Sequence, residues 1–164
     1  MPLLAGCFSS HGPFASKKDP LYQKKLQRVL IAYLHQDTTL LLGNEFSSRF
    51  VGRLIEQLNR HNIQCKQVRL EKEAIDRDAQ IQAAATQFRP THLLYFGATR
   101  ASRIESRASD RVALENSLAF EFSLVDFQSG RTIWRADLTY FSAPPSPAEV
   151  ADALVKKLGA DHFL

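Results

Sequence analysis

The residues able to do chemistry in this chain are few and far apart. Its five histidines, His11, His35, His61, His92 and His162, show no ligand spacing. No HExxH, CxxC or Cys/His cluster that would hold zinc occurs. His35 and Asp37 stand two residues apart in a polar stretch, which reads as a solvated loop rather than a catalytic pair. There is no GxSxG elbow, no P-loop and no GxGxxG. Gly97-Ala98-Thr99 follows an apolar run but lacks the further glycines and the helix of a phosphate cradle. The sequence therefore offers no catalytic constellation, no metal ligands and no cofactor site. The expectation is a protein that is not an enzyme, with a soluble α/β enzyme as the least supported alternative.

Two features remain. Arg100, Arg103, Arg107 and Arg111 fall between two strand-like runs and are partly offset by Glu105 and Asp110. Guanidinium forks pair bidentately with phosphates and carboxylates, so this segment could grip an anionic polymer or a partner. Its other reading is a solvated hairpin end with local ion pairs. No aromatic residues interleave with the arginines, which argues against a nucleic-acid platform. The second feature is Cys7, preceded by Leu4-Ala5-Gly6. That tetrapeptide resembles a bacterial lipobox, in which small residues admit the peptide bond to the signal peptidase and the cysteine sulfur takes a diacylglycerol. The resemblance implies that residues 1–6 are the remainder of a signal peptide. It implies that Cys7 is the lipidated first residue, anchored by two acyl chains. The polar stretch up to residue 24 then reads as a flexible tether.

Composition fits such a domain. Of 164 residues, 45% are apolar and 23% charged, the balance of a globular chain with a real core. The net charge of +4 suits an anionic envelope surface and is too scattered to argue for nucleic acid. No apolar run approaches the ~20 residues that span a bilayer, so attachment is expected through Cys7. Cys65 is expected to be a small, buried apolar side chain rather than a nucleophile.

The elements that would carry these features follow from periodicity. Residues 25–34 read as a first strand, buried on both faces from Val29. Phe46, Phe50, Val51, Leu54, Ile55 and Leu58 make a helical stripe, with Asn44 as N-cap and Asn62 as left-handed stop. Residues 63–70 read as a strand. A second, alanine-rich helix is capped near Asp76 and ends before Pro90. A core strand occupies residues 91–98. Leu114, Leu118, Phe120, Phe122 and Leu124 then alternate with polar residues, a half-buried strand. Gly130 turns the chain, and Trp134, Ala136, Leu138 and Tyr140 line the return strand. Ser146-Pro147-Ala148-Glu149 is a capping box that opens the last helix, with Gly159 as its expected stop. The order is β-α-β-α-β-β-β-α. The expected fold class is α/β (α+β), one domain over residues 25–164, with helices packed on a mixed sheet.

Residues 124–134, Leu-Val-Asp-Phe-Gln-Ser-Gly-Arg-Thr-Ile-Trp, add a second resemblance. They are similar to a hairpin pattern common in small Gram-negative envelope lipoproteins. Those include the curli-pore lipoprotein, the lipoprotein activators of penicillin-binding proteins and the N-terminal domain of the Tol propeller protein. The resemblance implies a lipid-anchored domain in the cell envelope, on the outer membrane and facing the periplasm. It implies a non-enzymatic adaptor or assembly factor that binds another envelope protein. The alternative is a binder of an anionic envelope ligand, lipopolysaccharide or peptidoglycan, through the arginine segment. The pattern itself is structural: Asp126 and Gly130 make the turn, Trp134 fills the core, and no binding residue is implied. Oligomeric state is left open.

Overall fold

The structure, a computed structural model, describes residues 14–34, 45–71, 76–105, 113–141 and 145–164, with the backbone alone over 99–105, 113–117 and at 141. Among the described residues, six strands and three helices form one α+β unit around a mixed six-stranded sheet. The strands are β1 (Ala15–Lys18), β2 (Arg28–Leu34), β3 (Gln64–Leu70), β4 (His92–Glu105), β5 (Ala113–Asp126) and β6 (Thr132–Phe141). The helices are α1 (Phe46–Arg60), α2 (Arg77–Phe88) and α3 (Pro147–Ala160). The sheet order is β1-β6-β5-β4-β2-β3. β2 runs parallel to both β3 and β4, and the other neighbours are antiparallel. From β2 onward this is the expected order.

The two faces of the sheet are unequal. α1 and α3 cover one face, where Phe50, Leu54, Leu58, Phe120, Trp134, Leu154 and their neighbours form the main core. Aromatic rings run through it: Phe50 lies 4.4 Å from Phe96, and Phe96 stacks on Phe120 and Phe122. The expected alternation holds in β5, where Leu118, Phe120, Phe122 and Leu124 are buried. On the other face α2 packs over β2 and β3, through Ile81 and Ala85 against Leu30, Ala32, Leu70 and Leu93. The thin alanine-rich stripe of α2 accounts for this close but narrow cover.

Helix ends show where local chemistry was decisive. Asp76 caps α2 by accepting from the Ala79 amide at 2.9 Å. Ser146 and Glu149 close both bonds of the capping box of α3. α1 departs from expectation at its start, where Glu45 is the N-cap and makes no side-chain cap bond. α1 and α3 stop alike. Asn62 and His162 take left-handed backbone angles, and the following Ile63 and Phe163 amides bond to Leu58 and Leu158 carbonyls. Gly159 therefore lies inside α3, not at its stop.

One strand has no counterpart in the sequence reading. β1 falls within the stretch read as tether and pairs antiparallel with β6, Ala15 opposite Asp137 and Lys18 opposite Trp134. Asp161, just past α3, fastens it: Ser16 Oγ donates to Asp161 Oδ2 at 2.6 Å, and Lys18 Nζ to the Asp161 carbonyl at 2.8 Å.

Candidate functional site

Among the described residues, three places bring functional groups together. The first is the long β4–β5 hairpin. These strands pair over fourteen rungs, from His92–Asp126 to Glu105–Ala113. Among the described residues, β2 pairs with β4 as far as Phe96, and β6 pairs with β5 from Ser117 onward. From Ser102–Asn116 to Glu105–Ala113, no third strand pairs with either among the described residues. Among the described residues, the hairpin thus continues past its neighbours as a two-stranded arm. Arg100 and Arg103 lie within β4 rather than in a connecting loop, their backbones opposite Leu118 and Glu115. Arg107, Arg111 and Cys7 lie outside the described residues.

The second place is the opposite pole of the sheet. Asp126 and His92, paired across β4 and β5, are 4% and 2% exposed. The Tyr22 hydroxyl lies between them, 2.7 Å from His92 Nε2 and donating to Asp126 Oδ2 at 2.7 Å. Lys24 reaches the same carboxylate at 3.2 Å, and the Ser129 amide and hydroxyl donate to its other oxygen. Burial alone would raise the Asp126 carboxyl. The hydrogen bonds from Tyr22, Ser129 and Lys24 outweigh it and hold the group well below the usual carboxylate range. Burial and the same carboxylate push the Tyr22 phenol far up. Burial also lowers His92, opposed by Asp126 and aided by Lys24.

With a neutral imidazole the cluster is one hydrogen short of its contacts. Four contacts run in line: Arg28 carbonyl to Thr91 Oγ1, Thr91 Oγ1 to His92 Nδ1, His92 Nε2 to Tyr22, and Tyr22 to Asp126. Two hydroxyls and a neutral imidazole supply only three hydrogens, and an imidazolium supplies the fourth. The cluster can pin residues 19–26 to the sheet and shift a proton. A cleft of about 460 Å³ opens beside it, lined by Lys24, Lys25 and Gln128 among others.

Sequence reading used Asp126 only as a turn residue and His92 only as a scattered histidine. Their partner Tyr22 is 70 and 104 positions away, so no local spacing could have joined them. Cys65 is half-buried against the main core, and burial pushes its thiol up to about 12, as fits an inert side chain.

The third place is a groove of about 570 Å³ on the α2 face, between the first turn of α2 and the strands that α2 leaves uncovered. Tyr95, Glu121, Ser123, Arg135 and Asp137 line its floor. Burial and the nearby Asp78 carboxylate raise the Tyr95 phenol.

No family model matches the chain, and no curated protein matches it in sequence. Among solved structures, the fold is similar to that of PelC dodecamers from Paraburkholderia phytofirmans. A point variant of PelC superposes with a TM-score of 0.53 at 13% identity, over 90% of this chain and 95% of that one. A second PelC dodecamer gives 0.52 at 14% identity, over 88% and 93%. The lipoprotein GNA1162 from Neisseria meningitidis gives 0.42 at 12% identity, over 82% and 96%. At such identities the PelC likeness is one of fold. Among the described residues, no helix is long and apolar enough to cross a membrane.

Proposed function

We propose that this chain is a lipid-anchored subunit of the bacterial cell envelope, which works by assembling with other proteins rather than by catalysis. The observation that carries this reading is the β4–β5 arm. Over Ser102–Glu105 and Ala113–Asn116, each strand has one backbone edge with no strand beside it among the described residues. Such edges template the addition of a further strand. Support comes from the lipobox resemblance at Leu4–Cys7, which supplies a membrane address through Cys7. It comes also from the shared fold of PelC, since both PelC structures are dodecamers. The arm would meet a second copy of this chain or another envelope protein at the outer membrane, on its periplasmic side.

A second reading is kept because Arg103 is carried on the same arm and Arg100 stands on β4 just before it. There they could hold an anionic envelope polymer. Changing both to glutamate separates the two: binding of lipopolysaccharide or peptidoglycan would fail, while strand-mediated assembly would persist.

The test is metabolic labelling with a clickable fatty acid in cells expressing the gene with its upstream codons, beside a Cys7→Ser control. Chemical cross-linking and light scattering follow on the same protein. Label that depends on Cys7, with an oligomer lost when proline replaces Ser102 or Asn116, is the expected result. An unlabelled, well-expressed protein that stays monomeric overturns the proposal.

A further inference from the structure

The groove on the α2 face carries an inference independent of the arm and of the lipid anchor. Two successive rungs of the sheet form its floor and continue beyond it to β1. In one, Tyr95, Ser123, Arg135 and Lys17 are cross-strand partners; in the next, Gly97, Glu121, Asp137 and Ala15 are. Partners on a rung share a face with Cβ atoms about 4.5–5.5 Å apart. Successive same-face rungs lie about 6.5–7 Å apart. A cationic row therefore runs beside an anionic one. Glu121 and Asp137 are direct neighbours, although like charges opposed across strands destabilise a sheet. Among the described residues, neither they nor Arg135 enters an ion pair that would relieve this.

The position of the groove strengthens the point. Leu34 and Leu70 end the parallel strands β2 and β3, and both line it. From β2 the chain passes through α1 to β3 on one side; from β3 it passes through α2, on the opposite face, to β4 on the other side. The groove thus lies at the carboxyl ends of the strands, where the strand order reverses, the place at which open α/β sheets bind ligands. Leu34, Leu70 and Ile81 supply its apolar lining. A volume of about 570 Å³ suits a small ligand.

We infer that this groove binds a small zwitterionic, peptide-like ligand. Its cation sits between Glu121 and Asp137, its carboxylate meets Arg135, and an apolar group rests against Leu34 and Ile81. A simple anion would face the two carboxylates, and a simple cation would leave Arg135 unmatched.

The test is a titration of the isotope-labelled protein with the dipeptides Leu-Lys and Leu-Glu and with amidated Leu-Lys, followed by amide resonances. Leu-Lys is expected to move the signals of Gly97, Glu121 and Asp137 and to bind best of the three. The pair Glu121→Gln and Asp137→Asn should weaken it on the order of tenfold or more. Arg135→Gln should abolish the preference for the free carboxylate over the amide. All three positions are solvent-exposed, so an unchanged spectrum outside the groove certifies the fold of each variant. No shift in the millimolar range, shifts confined to another surface, or variants that bind like the parent would each overturn the inference.

Discussion

Tyr22 and Asp126, 104 positions apart, are joined by a 2.7 Å hydrogen bond that ties the segment before β2 to the hairpin between β5 and β6. Removing the hydroxyl with Tyr22→Phe keeps the ring, which packs 6.3 Å from Phe163. It deletes a donor to a buried carboxylate. The expected cost is about 1.5–3 kcal/mol, the range for hydrogen bonds to charged groups. Urea unfolding should show a lower midpoint at an unchanged slope; a midpoint within error of the parent would mean that Lys24 and Ser129 satisfy Asp126 alone.

The same cluster sets a pH dependence. His92 is lowered in the fold, so the unfolded chain binds its proton first. Stability from His92 is whole above about 6.5, the unfolded value, and is lost as pH falls toward the folded value. Asp126 is lowered too, so its contribution is whole above about 3.9 and is lost as pH falls below that. Melting temperature should decline in two stages on acidification. His92→Gln should flatten the first stage and leave the second.

Asp161 accepts from Ser16 Oγ and from the indole Nε1 of Trp134 at 2.7 Å, while Trp134 is 1% exposed. Asp161→Ala leaves that indole nitrogen without its partner, at a cost of about 1–3 kcal/mol. Amide exchange should quicken at β1 before it changes at β5. Uniform acceleration across the sheet would instead show that β1 opens only with global unfolding.

Phe50 is fully buried, its ring centroid 4.4 and 6.2 Å from those of Phe96 and Phe122. Phe50→Ala should cost about 3–5 kcal/mol, the range for emptying an aromatic core site. A loss below about 1 kcal/mol, read by chemical denaturation, would mean that α1 can collapse onto the sheet.

Much of this fold was legible because its signals are local. Ser146 and Glu149 announce α3 within four residues, and Leu118 through Leu124 state their buried face by alternation alone. β1 was not legible: Ala15–Lys18 is short and polar, and it becomes a strand through β6 and Asp161, which come late in the chain. The Tyr22–His92–Asp126 cluster was hidden for the same reason. The rungs of the groove were hidden too, because cross-strand register cannot be read from one strand at a time. Arg100 and Arg103 were noticed for their charge, but their inclusion in β4 required knowing how far the β4–β5 ladder runs.

The fastening of β1 has a mechanical side. If the N-terminal segment carries an anchor, any pull on it loads Asp161 and the β1–β6 ladder first, and the Tyr22–Asp126 bond only afterwards. The two act in series, the outer one short and replaceable, the inner one buried. Tension would therefore peel four residues away from the edge while the remainder of the sheet stays closed. The reach of the domain from its attachment point would lengthen by roughly 3.3 Å for each residue released, a small yielding leash between a membrane and whatever the arm holds.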